Sequence, residues 1–195
     1  MAKPKPDLLR VKKFKAIKEQ RVKYERAAEL AVATAEALKD GDTIHALLSG
    51  NFIFGDFLEA LSVENLVKFK SMTLSTLALS DENVISLENL LASGLLGRLD
   101  MIVSSYFWSH NRQNAKFIYE TLCDPFDTRL AVAGIHTKIA LIETDKSKIV
   151  IHGSANMRSS RTIEVVTIEH NPDLYEFHKS WHDEILSDYA VTKKE

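Results

Sequence analysis

The chain has 195 residues, 45% apolar and 27% charged, which fits one globular domain and excludes a disordered, collagen-like or low-complexity polypeptide. No stretch approaches ~18 uninterrupted apolar residues, so no membrane span is expected, and a lone Cys123 excludes an internal disulfide framework or a cysteine-rich zinc site. The net charge of −2 hides an asymmetry, because residues 1–30 hold ten Lys/Arg and four acids, +6 against −8 for the remainder.

A basic arm on an acidic body can follow a polyanion electrostatically, although a solvated helix face is the simpler reading of these charges. The opening residues, Met1 to Pro6, run into more charge rather than an apolar segment. No secretory signal is expected, and a cytoplasmic location is the natural reading. Residues 8–38 keep apolar side chains three to four apart (Val11, Phe14, Ile17, then Tyr24, Ala28, Ala31, Ala35, Leu38), which predicts a helix stopped at Gly41. We divide the chain accordingly into a basic helical extension, 1–40, and a domain over 41–195.

Strands are predicted at Thr43–Ser49, Phe69–Leu79 and Arg98–Tyr106, with helices at Phe52–Leu61, Val84–Leu91 and Asn111–Leu122 between and after them. Ser80 is the N-cap candidate of the second helix. Arg129–Ala133, His136–Glu143, Lys148–His152 and Ile163–Glu169 follow as strands in quick succession. Asn171-Pro172 then opens a last helix with Leu174, Phe177, Trp181 and Ile185 expected on its buried face. This order predicts an α/β layered domain with a mixed sheet.

The chemistry concentrates in two segments, Ile135 to Glu143 and Ile151 to Asn156, joined through the polar turn Thr144-Asp145-Lys146-Ser147 as a β-hairpin. Alternation puts His136 and Lys138 on one face, and Ser154 and Asn156 on one face of the partner strand. A register centred near Asp145 would join the two pairs and place His152 opposite Lys138. An imidazole, an ammonium, a hydroxyl and an amide on one apolar sheet are costly unless they serve a ligand or each other. Imidazole is a nucleophile or an acid–base group near neutral pH. Lys is a point charge for a phosphate oxygen, and the other two donate to developing charge. Together they describe an anion site, with phosphate as the leading anion.

His136-x-Lys138, an apolar strand, an acidic residue, a turn and Gly153-Ser154-x-Asn156 resemble the signature of the phospholipase D superfamily, and most nearly its bacterial endonucleases that carry the signature once per chain. The likeness is specific over residues 135–169. It implies that residues 41–195 are one phospholipase D-like catalytic half-domain with a helical extension before it. It also implies a phosphohistidine mechanism without a metal or other cofactor. His136 would then be nucleophile or acid, Lys138, Ser154 and Asn156 would hold the phosphate, and Glu164, with Glu169 as fallback, would orient a histidine. Two departures stand out: Glu143 where the family has Asp, and three extra residues before Gly153. Because such chemistry needs two histidines, the resemblance implies a homodimer with one composite site.

Arg158 and Arg161 follow the signature and are candidates for neighbouring phosphates or for surface salt bridges. Ser49, Asn51 and Ser104-Ser105-Tyr106 end predicted strands where clefts form in α/β sheets, and are candidate groove residues. His45, His110, His170, His178 and His182 show no ligand spacing with carboxylates or Cys123, and His178 and His182, i,i+4 on a helix as a metal pair could be, lack the His-Glu-x-x-His order, so no metal is expected. The preferred reading is a cytoplasmic nuclease acting on DNA or RNA. The alternatives are a lipid phosphodiesterase or phosphatidyl transferase, and a non-catalytic nucleic-acid-binding protein of the same fold.

Overall fold

The computed structural model describes residues 26–36, 38, 43–48, 52–65, 67–158 and 162–191. The Lys/Arg-rich stretch 1–25 of the expected N-terminal helix, Gly41, Ser49, Asn51 and Arg161 lie outside the described residues.

Seven strands form one mixed sheet in the order β1-β7-β6-β5-β2-β3-β4, where β1 is Ile44–Leu48, β2 Ser71–Thr76, β3 Leu99–Ser104, β4 Arg129–Ala133, β5 Ile139–Glu143, β6 Lys148–Gly153 and β7 Glu164–His170. The crossovers from β2 to β3 and from β3 to β4 are long enough to carry helices, so those strands pair in parallel. The connections around β5, β6 and β7 pair antiparallel. The seam between the two halves is the antiparallel β2–β5 pair.

Central strands are apolar on both faces because helices cover both. On one face α1 (residues 26–36), α2 (Phe54–Val63) and α3 (Asp81–Ala92) build the main core with Phe57, Leu58, Leu87 and Leu90 over Met72, Leu74, Met101, Ile142 and Ile151. Ala27, Ala31 and Thr34, at helical spacing, are fully buried, so the described end of the N-terminal helix is packed into this core. The other face is covered by α7 (Pro172–Asp188), whose Tyr175 packs with Leu141 and Val150 and whose Leu186 packs with Ile102 and Ala131. No helix of the described residues is long and apolar enough to cross a membrane.

Three expectations need correction. The expected strand to Tyr106 ends at Ser104, whose hydroxyl accepts from the Phe107 amide at 3.0 Å and starts a short helix, α4 (Ser105–His110). The expected helix over 111–122 is α5 (Arg112–Ile118), continued by a π-helical turn at Tyr119–Cys123 and a last turn, α6 (Asp124–Phe126). In α7 the buried stripe is Tyr175, His182 and Leu186, while Phe177 is 64% exposed. At its start the Asn171 side chain accepts from the Leu174 amide at 3.0 Å, with Pro172 at the first helical position, as expected. Ser80 stands at the N-cap of α3, but its hydroxyl accepts from the Asn83 side chain at 2.9 Å rather than from a backbone amide.

Candidate active site at the end of the sheet

The site grows from the β5–β6 hairpin. Thr144 closes its turn: its amide donates to the Ser147 carbonyl at 2.9 Å, and its hydroxyl accepts from the amides of Lys146 and Ser147 at 3.1 and 2.9 Å. The turn is therefore centred between Asp145 and Lys146, and Glu143 pairs with Lys148. This slips the expected register by one, so His152 stands opposite Ile139, not Lys138.

His136 and Lys138 lie just before β5, not within a strand that begins at His136. The Lys138 carbonyl still accepts from the Gly153 amide at 3.3 Å, which extends the pairing to the strand's mouth. Gly153 must be glycine. A Cβ there would sit 2.0 Å from the Val165 carbonyl oxygen, inside the contact between β6 and β7. That close approach delivers Ser154, whose amide donates to the same carbonyl at 2.9 Å.

One open pocket is lined by His136, Lys138, Ser154 and Asn156, with Thr137, Ile139, His152 and Gly153 around them. The departure of both chains from regular strand geometry gathers these side chains despite the slipped register. The Lys138 ammonium donates to Nδ1 of His136 at 3.1 Å and to the His136 carbonyl at 2.7 Å. Partial burial pulls the Lys138 pKa below the ordinary lysine value, and the Glu164 carboxylate works against that shift. Ser154 donates to Oε2 of Glu164 and accepts from the Val165 amide at 3.0 Å, while Thr162 donates to Oε1 of Glu164 at 2.9 Å. Glu164 is thus fixed through both oxygens by hydroxyls of its own chain. Asn156 accepts through Oδ1 from the Leu77 amide at 3.3 Å, which leaves its NH2 as a donor toward the pocket.

No family model matches the sequence, and no curated protein does. Solved structures do. NucT from Helicobacter pylori matches with a TM-score of 0.55 at 15% identity, over 77% of this chain and 100% of its own. Nuc from Salmonella typhimurium, a phospholipase D family member, gives 0.54 at 12% over 78% and 100%. Phosphatidylserine synthase from Haemophilus influenzae gives 0.52 at 12% over 78% of this chain and 40% of its own. The chain has a phospholipase D-like fold.

On this fold the other candidate residues sort themselves by position. Glu169 receives His152 at 3.4 Å and the Asn171 side chain at 3.1 Å, so this carboxylate serves His152 on the pocket wall. Arg158 is exposed and borders an adjoining pocket shared with Asn156 and Glu164. Ser104 is buried and bonds the Leu77 carbonyl at 2.8 Å, so it braces the site without lining it. The β2 end also takes part, unforeseen. Thr76 accepts from the Met157 amide at 3.1 Å and Ser75 accepts from Thr137 at 3.0 Å, which stitches both signature segments to that strand. The signal available for it was the hydroxyl set Thr73, Ser75 and Thr76 in a strand otherwise buried among apolar neighbours. Among the described residues no group of three or more His, Cys, Asp or Glu is placed to hold a metal ion.

Proposed function

We propose that the protein is a phosphodiesterase working through a phosphohistidine, most specifically an endonuclease on DNA or RNA, acting as a homodimer. The observation that carries this reading is the convergence of His136, Lys138, Ser154 and Asn156 on one open pocket at the mouth of the β5–β6 hairpin.

In the proposed reaction a ring nitrogen of His136 attacks phosphorus. A P–N bond forms as the bond to the leaving oxygen breaks, and that oxygen takes a proton from a second histidine, His136 of the other copy. Water then attacks phosphorus, gives its proton to that second imidazole and releases His136. Lys138 and the Asn156 amide stabilise the charge on the non-bridging oxygens as preorganised donors. Ser154 positions Glu164, and in the dimer Glu164 is the carboxylate available to fix a histidine's ring proton. Arg158, with Arg161, Ser49 and Asn51, is proposed to meet the flanking substrate.

The test is cleavage of plasmid and of short RNA in EDTA by wild-type protein and by His136→Ala. Cleavage that persists in chelator and falls by ~10³-fold or more in the variant is expected. Turnover of phosphatidylglycerol in place of nucleic acid would move the proposal to the lipid class, and cleavage unchanged by the substitution would end it. Acid-stable incorporation of label at another residue would likewise overturn the phosphohistidine.

A further inference from the structure

We propose that Tyr106, backed by His110, is a stacking platform for an unpaired nucleobase beside the phosphate pocket. The proposal rests on the nucleic-acid reading above and adds to it a substrate class, single-stranded rather than duplex.

Tyr106 is 67% exposed on α4, an unusual place for an aromatic ring that packs against no core. It is nevertheless held. The His110 imidazole stacks on it at 4.4 Å between centroids with 29° between planes. Nδ1–H of His110 donates to the Tyr106 carbonyl at 2.8 Å, and Ser109 donates to the same oxygen at 3.1 Å. The histidine ring is thus fixed by its hydrogen bond to the backbone, and the tyrosine ring rests on it by stacking, with that face covered and the ring otherwise open to solvent. An exposed ordered π-face is what base stacking requires, and it accepts any base whose own face is free. Bases inside a duplex already stack on both faces, so the occupant is an unpaired one.

The platform is tied to the pocket from two sides. Ser104, which begins α4, pairs with Ala133 across β3 and β4, and the chain reaches His136 three residues later. The Ser104 hydroxyl holds the Leu77 carbonyl at 2.8 Å, while the Leu77 amide holds Asn156 at 3.3 Å. Ring and phosphate donors therefore stand at one end of the sheet, after β3 and at the mouth of β5 and β6, with the chain after β2 between them and Leu77 bonded toward both. A nucleotide carries its base and its phosphate on opposite sides of one sugar, and the arrangement offers a partner to each.

Binding of the full-length protein to labelled oligonucleotides by fluorescence anisotropy tests this directly. The probes are a single strand, the same strand as duplex, and a strand of equal length built from abasic residues. Tyr106→Ala should weaken the base-containing single strand by about tenfold or more and leave the duplex and the abasic strand unchanged. Tyr106→Phe should restore binding to within about twofold, because it keeps the ring. Equal weakening on the abasic strand, no weakening on the single strand, or no oligonucleotide binding by wild type would overturn the proposal. Tyr106-dependent binding to phosphatidylglycerol vesicles instead would do the same. Cleavage by wild type and His136→Ala, read on the same strands, tests the phosphodiesterase reading separately.

Discussion

Two regions of the sheet carry polar groups among apolar neighbours, and they treat them in opposite ways. Under α7 Asp100 and His182 are buried, and each is tied to a partner within the fold. Asp100, with its side chain 4% exposed, accepts two bonds from Arg129 at 2.8 and 2.6 Å, and Arg129 reaches on to Asp183 at 3.3 Å. His182, fully buried against Trp181, donates through Nδ1 to the His178 carbonyl at 2.6 Å. At the mouth of β5 and β6 the polar groups are open. His136 is exposed, Lys138 contacts only His136 among its polar partners, and the Asn156 NH2 has no protein acceptor among the described hydrogen bonds. One region spends its polarity on the fold, and the other keeps donors available for a ligand.

Substitutions in the two regions should separate the two uses. The largest effect is expected at the open end. His136→Ala should lower cleavage by ~10³-fold or more while shifting the urea midpoint by under ~0.5 kcal/mol equivalent, because an exposed side chain packs nothing. A matching loss of stability would erase the distinction between the regions. Under α7 the order reverses. Arg129→Ala takes from the buried Asp100 its two-point partner and leaves it only the Arg98 Nε–H at 3.2 Å. Burial raises that carboxyl's pKa, and the Arg129 guanidinium overcomes this to hold it below the ordinary value. A loss of about 2 kcal/mol is expected in urea denaturation at pH 7, because Arg98 still compensates part of the buried charge. Residual activity per folded molecule should be unchanged.

His182 sharpens the contrast through pH. Burial lowers its pKa from 6.5 to about 4, against the raising effect of the His178 carbonyl, with His178 and Lys179 lowering it further and Asp183 raising it. The folded state favours the neutral ring, whose Nε2 is buried without a partner. Its contribution is therefore fully present above about pH 6.5 and is lost as pH falls toward 4, about 3 kcal/mol in all. Melting curves between pH 7 and pH 4 should show this loss, and His182→Phe should flatten it. A slope identical in wild type and variant would assign acid sensitivity elsewhere.

Gly153→Ala lies at the open end but inside the β6–β7 contact, and should affect both stability and activity. The added methyl is driven against the Val165 carbonyl, so about 2 kcal/mol of stability should go. Activity should fall by more than the folded fraction, because Ser154 is displaced with it. Loss of stability alone would show that β7 yields without moving the serine.

Much of this arrangement was legible in the sequence, and the misses have physical causes. The succession of strands and helices along the chain, the Asn171-Pro172 helix start and the choice of the four signature side chains follow from alternation, capping and spacing. The hairpin register did not, because alternation fixes which residues share a face within a strand but not where a turn places its centre. Thr144 decides that through hydrogen bonds that composition does not announce. In α7 apolar residues occupy two adjacent stripes, and periodicity selected Phe177 over Tyr175, whereas contact with Leu141 and Val150 selects Tyr175. Ser105 and Tyr106 read as strand because Ser-Ser-Tyr has no helical pattern, yet the Ser104 hydroxyl at the end of β3 caps α4 there. The carboxylate nearest to the signature by spacing, Glu164, does lie at the pocket's border, but its hydrogen bonds go to Ser154 and Thr162.

The tip of the β5–β6 hairpin and its open ends lie at opposite extremes of the same ribbon. Thr144 seals the tip, and the Glu143–Lys148 pair immediately behind it locks the two strands together. Extra or altered residues between 144 and 147 can therefore bulge outward without disturbing the far ends, where the reactive side chains stand. That separation makes the tip the natural place for this chain to lengthen, to take a tag or to drift in evolution while its reactive end stays as it is.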